Sequence, residues 1–424
     1  MSTNTLLTIA DITREALVVL HEELQLAKHC VRKFQERFGK SSGQIGTSVQ
    51  IRKPPRYSVV NGTVDVTSSI ENSVEDYATL NCAYNSPTGG RSIIPMQFST
   101  EDLTLKINDF SKNFIRPAVA RLARDIDLKG FATLKISPNY RISRTVTGSL
   151  TFLDYTTLGA YMTTQLAPEG DRKLFVDPID TATIVDALKG LFQSSTQIAD
   201  QYEKGLMGES GGFSWIATNN LPMITFPAVP TAVLGVVDGT AAPAEGDKFV
   251  KVTGYTASST LKAGQGFTVA GTYAIDPETQ AQLPYLYTFI VTSDVVFGAT
   301  NTVVVSIPVA QANYTVATST TQANMSALPT VGNALTATEL GTIANKSGKL
   351  AFGIHKDALA LGVIELEVPG GVDMGAQESF EGIGLRITRQ WNSLTDQWVC
   401  RVETQYGWAV LRPELIASAM GYVR

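Results

Sequence analysis

The sequence predicts a mixed α+β protein in which one domain is inserted into another. Between residues 229 and 345 charge nearly vanishes, with three lysines, no arginine and seven acidic residues. Short runs in this block alternate apolar with small polar residues, as in 266-GFTVAGTYAI-275, and this alternation is the period of a β-strand. Helical patterns with ordinary charge density resume on both sides, so a β-rich block lies inside a mixed chain.

Composition narrows the classes of protein further. A chain of 424 residues is long enough for two or three domains, and its net charge of −5 argues against a nucleic-acid binder. There is no run of 18 apolar residues, and charged residues stand where a secretory signal would be apolar. Three widely spaced cysteines argue against a disulfide framework and fit a reducing cytoplasm. The low charge suits a protein whose faces neighbouring copies cover, although a β-rich composition explains it equally well.

The N-terminal third predicts a helix and then a long hairpin. Apolar residues recur at helical steps over residues 8–38, and Gly39 follows as a helix terminator. Residues 46–60 are extended because Pro54 and Pro55 exclude helix. A polar stretch follows, and the chain returns through residues 91–99. These two arms bury little surface on each other, so we expect the hairpin to lie on another subunit.

A long spine helix is the next predicted element. Ser99 and Asp102 resemble a capping box, and an apolar stripe runs from Leu103 to Ile126. A helix carrying this stripe would be roughly 36 Å long. Pro117 lies within it and should kink it or divide it into two segments.

The remaining elements alternate in type. Helices are expected at 155–166, 179–192 and 196–207, a buried strand at 173–178, and extended chain at 211–226. After the β-rich block, residues 348–366 predict a strand running into a helix, with His355 as a cap or packing residue at the junction. Residues 383–417 alternate over two arms around 392-NSLTD-396, which predicts a β-hairpin.

Catalytic chemistry is not apparent in the sequence. The chain has only three histidines, and Gly39-Lys40-Ser41 lacks the earlier glycine of a phosphate-binding loop. Asp125 and Asp127 lie two apart on a helix and cannot converge as paired carboxylates. We therefore expect no enzyme activity, no cofactor and no metal site.

The basic cluster 52-RKPPR-56 has two possible binding partners. Arg52, Lys53 and Arg56 could contact nucleic acid or the acidic residues of a neighbouring subunit. Three cations make a weak electrostatic footprint for nucleic acid. Glu71, Glu75 and Asp76 on the following polar stretch offer complementary partners, so we favour subunit contacts.

The order of these parts resembles the major capsid proteins of tailed phages. Among them it is similar to the podovirus coat proteins of the P-twenty-two type, which carry an insertion domain. The resemblance runs nearly end to end and rests on five stretches in the same order: 46-GTSVQIRKPPRYSV-59, 95–127, 261-LKAGQGFTVAGTYAIDPET-279, 353-GIHKDALALG-362 and 384–417.

The resemblance implies the Hong Kong 97-type capsid fold and a division of the chain. Its parts would be the N-terminal arm 1–45, the E-loop 46–98, the peripheral (P) domain 99–148 with hairpin 383–408, the axial (A) domain 149–228 and 346–382 with tail 409–424, and the insertion domain 229–345 as a small β-barrel. Loop 276–284 of the insert, acidic at Asp276 and Glu278, is a candidate contact across capsomers or else a solvated turn. Arg386, Arg389 and Asp396 on the terminal hairpin are further candidates for subunit contacts.

The implied function is assembly of a virion shell in the bacterial host cytoplasm. Copies of the chain would form pentamers and hexamers of an icosahedral head around double-stranded DNA, with a scaffolding protein and a portal protein as partners and no membrane. The main alternative is another phage or surface-layer structural protein, such as a tail or lattice component. Such a protein should not need a projecting hairpin that leads into a long spine helix.

Overall fold

The computed structural model describes most of the chain. The described residues are 9–33, 46–54, 59, 62, 67, 77–99, 116–145, 150–188, 208–228, 233–239, 243–315, 323–340, 344–380, 383–395 and 397–423. They form two compact units. The first comprises residues 1–51, 78–133 and 359–409, and the second comprises residues 52–77, 134–358 and 410–424.

Four α-helices lie in the described ranges: α1 Ile9–Glu23, α2 Arg116–Ile136, α3 Phe152–Thr164 and α4 Pro178–Leu188. The start of α3 follows from a capping box, in which the Thr151 hydroxyl accepts from the Asp154 N–H and the Asp154 carboxylate accepts from the Thr151 N–H. Pro178 opens α4, where its missing N–H costs no helical hydrogen bond. The predicted helix 196–207 lies outside the described residues.

The first helix is shorter than the sequence predicts. Instead of continuing toward residue 38, α1 ends at Glu23, and a single 3-10 turn follows at Ala27–His29. The backbone N–H groups of residues 25, 26 and 27 donate to the carboxylate of Asp127, at 2.7, 3.3 and 3.2 Å. A buried carboxylate 100 residues away in sequence therefore satisfies the donors that a continuing helix would have used internally.

The described part of the spine helix begins at Arg116. Pro117 is its second residue, where a proline is tolerated, and residues 100–115 lie outside the described ranges. At its other end α2 continues to Ile136. The helix is therefore ten residues longer at this end than the apolar stripe, which ends at Ile126, predicts. Its 21 residues give a length of roughly 31 Å.

Strands are numbered in chain order. The first unit contains β1 Ser48–Arg52, β2 Tyr77–Asn81, β3 Gly89–Ser99, β20 Leu359–Ile364, β21 Met374–Phe380, β22 Ile383–Asn392 and β23 Gln397–Val410. A five-stranded sheet runs β20-β23-β22-β21, with β3 also paired to β23. The predicted terminal hairpin is confirmed, because β22 and β23 pair antiparallel up to Asn392 opposite Gln397.

The projecting hairpin has a different second arm from the one predicted. The partner of β1 in a two-stranded sheet is β2, whereas residues 91–99 belong to β3, which pairs antiparallel with β23 along its whole length. Eleven paired positions on β23 offer β3 far more backbone hydrogen bonding than five-residue β1 could. Alternation in the sequence identified the strand but not its partner.

The second unit contains a seven-stranded mixed sheet. Its strands are β4 Tyr140–Arg141, β6 Arg172–Val176, β7 Glu209–Ser210, β8 Phe213–Ala217, β9 Met223–Thr225, β19 Ser347–His355 and β24 Ile416–Val423. They run in the order β4-β24-β19-β6-β8-β7, with β9 also paired to β19. The strand predicted at 173–178 is confirmed as β6, although it ends at Val176 and Pro178 already begins α4. The extended segment 211–226 is confirmed by β8 and β9.

The predicted helix after His355 is wrong. Residues Lys356–Ala358 form one 3-10 turn, and Leu359–Ile364 continue as strand β20. The run from Leu359 to Val363 is buried at every position, so it shows neither helical nor strand periodicity. His355 is the buried last residue of β19, and its Nδ1 accepts from the Asp357 N–H in the turn that follows, at 3.2 Å.

The inserted block is β-structured around one core, but a closed barrel is not confirmed. It contains β10 Val236–Val237, β11 Phe249–Thr253, β12 Thr260–Leu261, β13 Gly266–Ile275, β14 Gln282–Ile290, β15 Val295–Val296, β16 Val305–Pro308, β17 Leu335–Ala337 and β18 Glu339–Leu340. Separate sheets β10-β11-β16, β12-β15 and β14-β13-β17 surround the core. Phe267 and Phe289 stack at its centre, with ring centroids 5.2 Å apart.

Candidate assembly surfaces

The acidic turn between β13 and β14 is organised by its own carboxylate. Asp276 Oδ1 accepts from the backbone N–H of Glu278 at 2.8 Å and of Thr279 at 3.0 Å. The half-buried Asp276 therefore shapes the turn, whereas Glu278 is exposed. The structure thus presents the carboxylate of Glu278 to the surroundings on a turn of defined geometry.

The basic cluster predicted as a contact surface is described in part. Arg52 is exposed at the last position of β1, and Lys53, which follows it, is half-buried. Arg56, Glu71, Glu75 and Asp76 lie outside the described residues, and so does Asp396.

Arg386 lies in the interior of the first unit rather than on its surface. Its Nε donates to Glu403 Oε1 at 2.7 Å, a second guanidinium nitrogen bonds the same oxygen, and its Nη1 bonds the Glu367 carbonyl. Glu403 is fully buried and also pairs with Arg91 at 2.6 Å and with Arg401 at 3.2 Å. Because Arg386 is only 8 % exposed, it has little surface left for another subunit.

The sequence reasoning missed Glu403 as the partner of Arg386. In the β22–β23 hairpin these two residues stand directly opposite each other. Each lies six positions from the ends of the turn, at Asn392 and Gln397, so equal spacing about the turn was the available signal.

Arg389 is also engaged within the chain. Its Nη2 lies 3.1 Å from Asp373 Oδ2, and its guanidinium is 4.5 Å from the ring centroid of Trp398. Near its tip the hairpin exposes two large apolar side chains, Trp391 (47 % exposed) and Leu394 (93 %), among exposed polar residues such as Asn392 and Thr395.

A buried ion pair connects the charge-poor block 229–345 to strand β4 within the second unit. Arg141, on β4, is fully buried, and its Nη1 lies 3.0 Å from Glu339 Oε1 and also bonds the Gly264 carbonyl. Its Nε donates to Ser418 Oγ at 3.2 Å, and Glu339 Oε2 accepts from the Gly266 N–H. Burial lowers the pKa of the Arg141 guanidinium, and the adjacent Glu339 carboxylate opposes that shift.

An aromatic cluster forms a second contact between insert and host. The rings of Tyr140, Tyr161 and Tyr285 meet with centroids 3.9, 4.9 and 4.8 Å apart. The Tyr285 hydroxyl also lies 2.7 Å from the Thr164 hydroxyl and accepts from Gln165 Nε2 at 3.2 Å. Strand β18 of the insert pairs in parallel with host strand β5, Arg144–Thr145. These contacts hold the insert in one orientation on its host.

The described residues contain neither a membrane-spanning helix nor a metal-binding cluster. No helix there is long and apolar enough to cross a membrane. No group of three or more histidine, cysteine, aspartate or glutamate side chains in the same ranges is arranged to hold a metal ion.

Comparison with known families identifies the class. Residues 1–421 match a family model of phage coat proteins, which are structural components of the virion shell and not enzymes. The family is described as P22 coat protein, gene protein 5, and the chain belongs to it. It is therefore a major capsid protein of a tailed phage, and the predicted α+β fold class of the Hong Kong 97 type is confirmed.

Several solved structures are similar over most of their length. A chain of Mycobacterium phage Che8 is 10 % identical with a TM-score of 0.44, covering 93 % of this chain and 90 % of that one. A chain titled capsid of Ralstonia phage GP4 is 8 % identical, with a TM-score of 0.45 and coverages of 92 % and 91 %. A chain from the capsid structure of cyanophage P-SCSP1u is 12 % identical, with a TM-score of 0.41 and coverages of 89 % and 84 %. No curated protein matches the chain.

Proposed function

We propose that this coat protein assembles into pentamers and hexamers of an icosahedral head that encloses double-stranded DNA. The observation that carries the proposal is membership of the P22 coat protein family over residues 1–421. A subunit that builds rings and joins them needs at least two different contact surfaces. The described chain offers a basic one at the end of β1 and an acidic one at the turn after β13.

These two surfaces carry opposite charges, and each is assigned its own contact. Arg52 is exposed next to Lys53, and Glu278 is exposed on the turn that Asp276 organises. We propose that the basic end of β1, together with Arg56, contacts acidic residues of an adjacent subunit. Candidate acids are Glu71, Glu75, Asp76 and Asp396, and Glu278 serves contacts between capsomers.

The partners and the place of assembly extend the same proposal. Assembly takes place in the cytoplasm of the bacterial host, with a separate scaffolding protein and a portal protein at one vertex. The packaged DNA then lies against the shell without sequence-specific contact.

The division of the chain into capsid domains is also proposed. Support comes from the compact units, since the described spine helix up to Thr133 and the β22–β23 hairpin share the first unit, whereas the host sheet and the insert share the second. Residues 359–382, assigned from the sequence to the A-domain, cluster with the first unit. We keep the E-loop at 46–98 and the insertion domain at 229–345 as proposed boundaries.

Charge reversal at the end of β1 tests the assembly proposal. Arg52→Glu combined with Lys53→Glu should leave the subunit folded, because Arg52 is the last residue of an edge strand and Lys53 follows it, but should abolish closed shells in electron micrographs. Circular dichroism checks folding. The control is Lys248→Glu with Lys356→Glu, which changes net charge equally at two other exposed lysines and should assemble as the wild type does.

Electron micrographs of the wild type, the control and the Arg52/Lys53 variant distinguish three outcomes. Shells from the wild type and the control but not from the Arg52/Lys53 variant support the proposal. Normal shells from that variant would remove the basic surface from it. Tubes or flat sheets from the wild type would instead favour a tail or surface-layer lattice component.

A further inference from the structure

The outward face of α2 is arginine-rich. Arg116, Arg121 and Arg124 are all exposed. At 3.6 residues per turn they span roughly 140° of the helix circumference, and Arg116 and Arg124 are about 12 Å apart along the axis. They therefore form one positive surface, here called the arginine face.

The two acidic residues of α2 are committed to partners inside the unit. Asp125 Oδ2 accepts from Ser92 Oγ at 2.6 Å and from the Tyr406 hydroxyl at 3.1 Å. Asp127 accepts from the backbone N–H groups of the turn after α1, at distances down to 2.7 Å. Neither carboxylate makes an ion pair with the arginine face, so the charge of that face is not balanced by its own helix.

Arginines elsewhere in the described chain are mostly bound to in-chain acceptors. Six of them donate to carboxylates, hydroxyls or carbonyls: Arg91, Arg141, Arg172, Arg386, Arg389 and Arg401. In contrast, Arg121 and Arg124 have no hydrogen-bond or ion-pair partner within the described residues. Two solvent-facing guanidinium groups of this kind are available to a ligand from outside the chain.

The chemistry of the face favours a polyanion over a folded protein. Protein partners are usually anchored by tryptophan, tyrosine and arginine together in a desolvated pocket, and no large apolar or aromatic side chain of α2 is exposed beside its arginines. The residues that reach the surface between Arg116 and Arg121 are small, since Pro117 is exposed and Ala120 is half-buried. Guanidinium groups bind phosphate oxygens in a bidentate manner, and such contacts need no apolar surface.

We propose that the arginine face binds the phosphate backbone of double-stranded DNA, without reading its bases. This inference rests on the proposed function, in which the shell encloses such DNA. The net charge of −5 for the whole chain does not oppose it, because screening limits each charge to about 10 Å and the local charge decides. Many weak contacts repeated over the shell add up by avidity.

Salt-dependent binding of a short labelled duplex to the unassembled full-length chain tests the inference. Arg121→Glu with Arg124→Glu removes two phosphate contacts. The association constant should therefore fall on the order of 10- to 100-fold, and the slope of its logarithm against log salt should fall by about 2, measured between roughly 50 and 200 mM. Two duplexes of unrelated sequence should respond alike. Glutamate favours helix, so the substitution leaves α2 intact.

Two controls are needed. The first tests whether the position of the charge matters or only the net charge, and the second tests whether the guanidinium geometry matters or only the positive charge. Lys248→Glu with Lys356→Glu changes net charge by the same amount on other elements and should leave the association constant nearly unchanged. Arg121→Lys with Arg124→Lys keeps both charges and should retain most of the binding and the salt slope. Equal losses in the lysine control and the arginine variant would overturn the proposal, as would unchanged binding by the arginine variant.

Further readouts identify the ligand class and isolate the proposed function. If polyglutamate displaced the duplex at lower charge concentration than unlabelled DNA does, the face would be assigned to an acidic protein segment and the DNA proposal would fail. Electron micrographs of the Arg121/Arg124 variant test assembly separately. Normal shells combined with lost DNA binding support both proposals, whereas a wild type that binds DNA but forms no shells contradicts only the proposed function.

Discussion

At the scale of single residues, Asp127 is subject to two opposing influences. Burial raises the pKa of its carboxyl to about 6, although the N–H groups of Gln25, Ala27 and Leu26 and the charge of Lys28 favour the ionised form. The same carboxylate ends α1 and holds the following turn. A residue that determines local chain direction is therefore sensitive to mildly acidic pH.

The raised pKa predicts a specific pH dependence of stability. The contribution of Asp127 is fully present below its unfolded pKa of about 4 and is lost as pH rises through about 6, because the native state binds the extra proton in that window. Between about pH 4 and pH 7 the wild type should thus lose more unfolding free energy than Asp127→Asn does. Urea unfolding across this range measures the difference.

Glu278→Gln is the control for the pH experiment. Glu278 is exposed on the turn after β13, so removing its charge should leave the pH profile of the wild type almost unchanged. Parallel profiles for the wild type and Asp127→Asn would show that burial does not perturb the carboxyl in this way.

At the scale of elements, α2 packs so closely that it has no room for a methyl group at Gly130. A Cβ there would lie 2.6 Å from Leu26 Cδ2 and 2.9 Å from the ring of Trp408. Both neighbours are buried, and Trp408 is fixed by donating from Nε1 to the Ile126 carbonyl at 3.1 Å. The close approach of helix, turn and strand therefore depends on glycine.

Gly130→Ala separates helix propensity from packing. Propensity alone would stabilise the helix by about 1 kcal/mol, whereas overpacking a filled core costs about 1–3 kcal/mol. Because the clash is with buried side chains, we expect net destabilisation, seen as a lower urea midpoint. Gly170→Ala, where a Cβ would meet no atom within 4 Å, is the matched control and should change stability by less than about 0.5 kcal/mol. A stabilised Gly130→Ala variant would contradict the packing argument.

At the scale of the whole molecule, the insert is attached to its host by more than the two chain crossings. Arg141 and Glu339 form a buried ion pair at 3.0 Å, and three tyrosine rings meet beside it. Removing one member of such a pair leaves the other charge buried and uncompensated.

A double-mutant cycle measures this coupling between insert and host. Arg141→Met and Glu339→Leu should each destabilise the chain by about 3–5 kcal/mol, and the double variant should lose much less than their sum. The half-exposed pair Lys262–Asp294, which lies entirely within residues 229–345, is the control and should show a coupling of about 0–1 kcal/mol. Additive losses for Arg141 and Glu339 would mean that the pair does not couple β4 to the charge-poor block.

Secondary structure was predicted correctly from the sequence where it depends on local residue patterns. Strand β13, the β22–β23 hairpin and helix α3 were found from alternation, turn residues and helical spacing. It failed at β20, because the run 359–363 is buried at every position and has no periodicity, and at α1, because a distant carboxylate ends that helix. For the candidate contact residues it found exposed Arg52 and Glu278 but also selected Arg386, which lies in the interior.

The sequence by itself determined the mixed α+β class, the inserted charge-poor block and the resemblance to phage coat proteins. These follow from composition, periodicity and the order of segments, which are local or sequential properties of the chain. Only the tertiary structure decided that β3 pairs with β23, that Arg386 and Arg141 are buried against Glu403 and Glu339, and that α2 turns its acids inward and its arginines outward. These features depend on contacts between residues as many as 318 positions apart, as at Gly89 and Gly407, and such contacts leave no periodic trace in the sequence.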